Sequence, residues 1–314
     1  MTRPRQLPPH LAARGFTMAQ LRSAGESPDR ATRRDVVRVG SGVYLARHVA
    51  ETLDDDGVYR LQAVAVALDA AGARLSHVTA ARLWGFPLPG ALRRDPRVHL
   101  SYGKQTRTVM QRSGVVSHRL SWAGAGAVTR DGALVSRPEE VFAELAALLS
   151  VEALVVLGDH LVRVPYGWAE GRAQPHIALP ALRDFVASRH FRGKRRALRA
   201  LAAVRIGSDS AKETRFRLAV VRAGLPEPQL QVPLNPADPR SRKADAGYPG
   251  SKIALQYDGS SHFTPEGARR DQRRDNEFAA AGWRVLRVNV EDDREDFRTA
   301  ISHLGAMLAA GGVE

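Results

Sequence analysis

RKADAGYPGSKIALQYDGSSH, Arg242 to His262, holds two β-rich runs joined across Pro249 and Gly250. In the second run apolar residues alternate at Ile253, Leu255 and Tyr257. That period of two places Ala254, Gln256 and Asp258 together on the opposite face of one strand, and Gly259 then breaks it. Antiparallel pairing across the turn would bring Asp245 of the first run beside Gln256 and Asp258 at a sheet edge, with His262 just past the following turn.

The flanking sequence frames this hairpin. SDSAKETRFRLAVVRAG opens with Ser210 and Glu213 in capping-box spacing and stops at Gly224, which predicts a helix. QLQVPL is a third strand candidate. Thr264 and Pro265 open a helix to about Ala281, closed by Gly282, after which WRVLRVNV is a strand and EDFRTAISHLGAMLAAG a closing helix. The order α, β, β, β, α, β, α predicts an α/β layer with a mixed sheet. Asp245, Gln256 and Asp258, with Glu213 from the preceding helix, make a patch of hard oxygen ligands, and His262 lies just past the turn beside it. Such a patch suits Mg²⁺ or Mn²⁺, which would activate a water and neutralise a phosphodiester, a nuclease-like arrangement.

Upstream, FRGKRRALRALAAVR is a basic amphipathic helix with Lys194, Arg195, Arg196 and Arg199 beside a stripe of Leu198, Leu201 and Val204. It is either a solvated face or a phosphate-contacting one. Arg269, Arg270, Arg273 and Arg274 alternate with Asp271, Asp275 and Glu277, so ion pairs and backbone contacts to nucleic acid both fit that helix. Near the N-terminus, TMAQLRSAG is a short helix ended by Gly25, and Ser27 with Pro28 open a second, SPDRATRRD, bearing Arg30, Thr32, Arg33 and Arg34. VVRVGSGVYLA then reads as a hairpin turning at Gly40, Ser41 and Gly42. Helix, turn, helix and hairpin is the plan of a winged helix-turn-helix, whose second helix would enter the DNA major groove. The expected division is therefore a winged helix over 1–50, an α+β middle over 51–165, a basic helical linker over 166–206 and the α/β core over 207–314. In the middle region His77 and His118, and the Asp159–His160 pair further on, show no metal-ligand or nucleophile spacing and read as structural.

A net charge of +14, from 47 Lys and Arg against 33 Asp and Glu, makes a polyanion such as DNA the leading partner. An Arg-rich codon bias is the alternative. The absence of cysteine excludes disulfides, thiolate metal sites and Cys nucleophiles. MTRPRQLPPHLAARGF has no apolar run after its positive charge, so it is not a signal peptide, and VFAELAALLSVEALVVLG contains Glu144 and Glu152 and reads as packed helices rather than a membrane span. A soluble, cytoplasmic protein with no membrane partner is expected.

SDSAKETRFR, RAGLP, RKADAGYP, KIALQYDGSSH, RRDQRRDNEF and GWRVLRV, taken in order, resemble the DUF559 group of very-short-patch-repair-like proteins in the PD-(D/E)xK restriction-endonuclease superfamily. The resemblance spans roughly Gly207 to Val290. More loosely, SGVYLA, VTAARLWGFPLPG and VVLGDHLV resemble the AbiEi type IV antitoxin family, whose N-terminus is a winged helix. The first resemblance implies Asp245 as the first acidic ligand, Gln256 at the acidic position of the (D/E)xK pair and Asp258 at its lysine position. That group usually reads Glu, any residue, Asp, Gly, so Asp258 and Gly259 match and Gln256 departs. His262 matches a histidine expected after the turn and Glu213 an acidic residue on the first helix. It implies a Mg²⁺-dependent endonuclease with Asp245 and Asp258 as main ligands. The second implies a non-catalytic DNA-binding regulator with a partner toxin.

Overall fold

The computed structural model describes residues 6–122, 127–258 and 265–311, and within them the side chains of all but 168–169 and 265–271. Among the described residues the chain is mixed α/β with three sheets. It divides into two compact units, Met1–Leu148 with Arg189–Lys194, and Leu149–Ser188 with Arg195–Glu314. Among the described residues no helix is long and apolar enough to cross a membrane.

In the first unit β1 (Phe16–Thr17), β2 (Val36–Gly40) and β3 (Val43–Ala46) form an antiparallel sheet in the order β1-β3-β2. Thr17 caps the Met18–Ser23 helix: its Oγ1 accepts from Gln20 N at 3.3 Å while Gln20 Oε1 accepts from Thr17 N at 3.1 Å. Ser41 and Gly42 both take positive φ at the β2–β3 turn, the conformation a tight hairpin demands. Phe16, Leu21, Ala31, Val36 and Ala46 share one buried cluster.

The second N-terminal helix differs from expectation. Pro28–Thr32 is a single 3₁₀ segment, not an α-helix through Asp35. Local bonds close it early: Ser27 Oγ accepts from Asp29 N, and Thr32 Oγ1 donates to Asp29 O at 2.8 Å. Arg30 folds inward and forks onto Asp35 at 2.8 and 2.6 Å, which ties the segment to the start of β2.

A five-stranded sheet, β4 (Ala73–Leu75), β5 (Val98–Gly103), β6 (Val115–Leu120), β7 (Val128–Arg130) and β8 (Ala133–Val135), completes this unit in the order β6-β5-β4-β8-β7. β5 is the strand expected from RVHLSY, and its buried run from Val98 to Tyr102 reflects cover on both faces. The Asp55–Asp69, His77–Trp84 and Pro138–Leu145 helices belong to the same unit.

The second unit holds β9 (Gln229–Pro233), β10 (Lys243–Tyr248), β11 (Ile253–Tyr257) and β12 (Arg284–Val288) in the order β12-β11-β10-β9. β9, β10 and β11 run antiparallel, and β12 joins β11 in parallel after the Pro265–Ala280 helix, as a crossover connection requires. One face of the sheet packs Ile253, Leu255 and Val288 against Phe216 and Val220 of the Ala211–Arg222 helix and against Leu304 and Leu308 of the Arg298–Ala310 helix. A second cluster gathers Val232, Ala244 and Ala254 with Phe278 and Trp283. Gly247 sits so close to β11 that a Cβ would clash with Ile253 O. Asp159, on the Val151–Val162 helix, is 1% exposed and bonds Arg217, also buried, at 2.9 Å.

Candidate functional site

Asp245 lies one residue before the Ala246↔Leu255 pair of β10 and β11. Its Oδ2 accepts the Tyr257 backbone N–H at 2.7 Å, so a side chain bridges the strands where the ladder ends. Its Oδ1 is 3.9 Å from Arg274 Nη1 on the crossover helix.

Glu213, in the first turn of the Ala211–Arg222 helix, lines the same small cavity as Asp245, Gln256 and Tyr257. Ser210 caps that helix by accepting from Glu213 N at 3.2 Å, but the Glu213 carboxylate does not return the bond to Ser210; it accepts from Asp209 N at 2.8 Å. Burial, and then the negative charge of Asp245, push its carboxyl up to about 8, so the two acids share one poorly hydrated space.

Gln256 is 1% exposed, and among the described residues neither its Oε1 nor its Nε2 has a hydrogen-bond partner. A buried amide with both ends unsatisfied costs stability, and such groups concentrate where function outweighs packing. At the rim, Tyr166 Oη donates to Asp209 Oδ2 at 2.6 Å, and Gln231 Nε2 donates to the same oxygen at 3.0 Å. Burial and the acids Asp209, Glu213 and Asp245 all raise the Tyr166 phenol. Neither Tyr166 nor Asp209 stood out in the sequence; both come from loops whose approach to β9 no periodicity reveals.

The expected ligand set is therefore only partly assembled. Glu213, Asp245 and Gln256 meet. Asp258 is held elsewhere: Arg287 Nη1 donates to both its oxygens, at 2.8 and 2.6 Å, while Arg287 Nε bonds Asp275. The cause is the parallel register, which sets Arg287 of β12 opposite Gln256 and lets its guanidinium reach the next outward carboxylate. His262 and Gly259 lie outside the described residues.

The basic residues also separate. Arg30 is 4% exposed and engaged by Asp35, so it offers no donor at the surface, whereas Thr32, Arg33 and Arg34 are exposed. Burying the Arg30 fork costs less than it would for an unpaired cation because Asp35 answers both of its terminal nitrogens. Lys194 opens the Lys194–Ala203 helix, Arg195 and Arg196 are exposed on it, and Arg196 Nη1 also donates to Leu149 O at 2.9 Å. The buried stripe of that helix is Ala197, Ala200 and Leu201, continuing into Val204, with Leu198 left 44% exposed. Arg274 stands over Asp245. Among the described residues the group of three or more metal-ligating side chains with converging ligand atoms is His77, His99 and His118, two of which read as structural from the sequence.

No known family model matches the chain. Two proteins of Mycobacterium tuberculosis, one from strain CDC 1551 / Oshkosh and one from strain ATCC 25618 / H37Rv, are similar to it at 28% identity over 273 residues, which is 83% of this chain and 88% of each of theirs. Both are described only as uncharacterized proteins.

Proposed function

We propose that the protein binds DNA through its N-terminal region and hydrolyses phosphodiester bonds with its C-terminal unit, with Mg²⁺ or Mn²⁺ as cofactor. In this reading β1–β3 with the Met18–Ser23 helix are a winged helix-turn-helix, and β9–β12 with their flanking helices are a restriction-endonuclease-like core. The carrying observation is the shared cavity of Glu213, Asp245 and Gln256, in which burial and the charge of Asp245 raise the Glu213 carboxyl and, among the described residues, a buried amide oxygen has no partner. That donor set fits a hard divalent cation: two carboxylates supply charge and the Gln256 carbonyl a neutral oxygen. A bound ion would supply the acidity for a hydroxide nucleophile and offset charge on the scissile phosphate. The chain's own residues do the rest: Tyr257 N–H fixes the Asp245 carboxylate, Asp209 N–H orients Glu213, and Arg274 offers a cation beside the site for phosphate.

The test is nicking of supercoiled plasmid with Mg²⁺ or Mn²⁺. Asp245→Ala is expected to reduce the rate by about a hundredfold or more, since several kcal/mol of charge stabilisation is removed. Cleavage that survives both Asp245→Ala and EDTA would overturn the reading.

A second reading is favoured by the Asp258–Arg287 fork, which closes a position the nuclease pattern would use, and by the missing charge at Gln256. Here the unit is a non-catalytic platform, and the protein is a DNA-binding regulator or antitoxin-like partner of a toxin. DNA binding without any metal-dependent nicking would select it.

Both readings share the exposed Arg33 and Arg34 at the end of the 3₁₀ segment. Arg33→Ala with Arg34→Ala is expected to lower the slope of log affinity against log salt by roughly one per arginine, measured by fluorescence anisotropy on duplex DNA. An unchanged slope would remove this face from the interface.

A further inference from the structure

Three histidines far apart in sequence meet in the first unit. His77 opens the His77–Trp84 helix just after β4, His99 lies in β5, and His118 lies in β6, the adjacent parallel strand at the sheet edge. One ring nitrogen from each lies within 4.8 Å of one from each of the others. His99 Nδ1 is 3.1 Å from His118 Nε2, and the rings of His77 and His118 stack with centroids 3.7 Å apart.

We propose that His77, His99 and His118 bind Zn²⁺ or a chemically similar divalent transition metal. Ligand nitrogens about 2.0–2.1 Å from a tetrahedral zinc lie roughly 3.3 Å from one another, and the His99–His118 nitrogens already have that spacing.

The outward nitrogens supply the second argument. His77 Nδ1 is 3.0 Å from Ser76 Oγ and 3.8 Å from the Glu144 carboxylate, and His99 Nε2 is 3.7 Å from Asp95 Oδ2. The Ser76 hydroxyl behind His77 can accept the outer N–H and leave the inner lone pair for a metal, part of the usual outer shell of a metal-binding histidine, while Asp95 stands behind His99 beyond hydrogen-bond length. Among the described residues the buried His99 Nε2 has no hydrogen-bond partner.

Backbone geometry points the same way. His77 adopts φ +50°, a left-handed conformation unfavourable for a side chain of this size, and it is held there by its N–H donating to Glu144 Oε2 at 2.7 Å. A plain hydrogen bond between His99 and His118 accounts for two of the rings and leaves the strained His77 unexplained.

Three imidazoles without a carboxylate or thiolate among them suit Zn²⁺, Co²⁺, Ni²⁺ or Cu²⁺ and not Mg²⁺, which separates this site from the oxygen-rich cavity at Asp245. Coordination would replace the His77–His118 stack and the His99–His118 hydrogen bond with bonds to the ion. His118 is only half-buried, which gives the ion a route in and leaves room for a water as a further ligand.

The test uses full-length protein stripped with EDTA and titrated with Co²⁺, a spectroscopic stand-in for Zn²⁺. Visible d–d bands are expected to saturate at one equivalent, to vanish on addition of Zn²⁺ and to persist in excess Mg²⁺. His118→Gln, a change on an edge strand, and His99→Asn are each expected to weaken Zn²⁺ binding by at least about tenfold, with folding checked by circular dichroism. Asp245→Ala should leave the bands unchanged. Absent bands in the unsubstituted protein, or bands that survive both histidine changes and disappear with Asp245→Ala, would overturn the proposal.

Discussion

Arg217→Ala is expected to lower the unfolding free energy of the protein by about 3–5 kcal/mol, the cost of stranding a buried charge. Arg217 and Asp159 are 2% and 1% exposed. Arg217 Nη2 donates to Asp159 Oδ2 at 2.9 Å and to Ala203 O at 3.0 Å, and Nη1 donates to Glu227 Oε1 at 2.6 Å. Asp159 also accepts from Thr214 Oγ1 at 2.9 Å and from Arg205 N at 2.8 Å, so one carboxylate joins the Val151–Val162 helix to the Ala211–Arg222 helix. Burial raises the Asp159 carboxyl, and Arg217 is the largest influence opposing it. Without Arg217 the folded-state pKa rises further above the unfolded one. A group raised in this way contributes stability below its unfolded pKa and loses it as pH rises, so the penalty should shrink as pH falls toward about 4. Asp159→Asn combined with Arg217→Leu should cost less than Arg217→Ala alone, because no charge is left unpaired. Urea unfolding at pH 7 and pH 4 measures all three. A pH-independent loss under about 1 kcal/mol would show that water reaches the pair.

Much of the second unit was legible in the sequence because its signals are local. The alternation at Ile253, Leu255 and Tyr257, the cap at Ser210 and the stop at Gly282 each depend on neighbours a few residues away, and the strands and helices lie where those signals put them. What failed needed partners from elsewhere. SPDRATRRD has a helix opening, but Arg30 finds Asp35 and the segment closes as one 3₁₀ turn. Asp258 shares a strand face with Gln256 by counting, yet the β11–β12 register supplies Arg287, and the carboxylate pairs with that cation. His99 and His118 come together only because β5 and β6 pair in parallel with Ser101 opposite His118, a register that a separation of nineteen positions does not encode visibly. Local propensity is readable from one chain; the register between distant strands is set by packing and is not.

Gln256→Glu is expected to tighten Mg²⁺ or Mn²⁺ binding by about tenfold or more, because ligand charge count is the main lever on affinity for these hard cations. The same change should destabilise the metal-free protein. A third carboxylate would enter the cavity where burial and Asp245 already hold Glu213 far above its usual range. The added acid would have a folded-state pKa above its unfolded value of about 4.3, so in EDTA the variant should lose stability relative to the parent as pH rises past that value. A bound ion reverses the sign: it offsets the added charge and favours the ionised carboxylate, so Mg²⁺ should raise the Tm of the variant more than that of the parent. Nicking should rise in parallel. Asp245→Ala in the same background should abolish both the metal-linked Tm gain and the cleavage, since it removes the charge opposite the new ligand. Calorimetry of Mn²⁺ binding, thermal melts with EDTA or Mg²⁺, and the plasmid assay together separate the outcomes. A lower Tm in EDTA with no gain of metal would mean that Arg274, near Asp245, neutralises the cavity in place of an ion. The buried amide would then be a residue that keeps the charge count of that pocket low, and the DNA-binding regulator becomes the better description of the second unit.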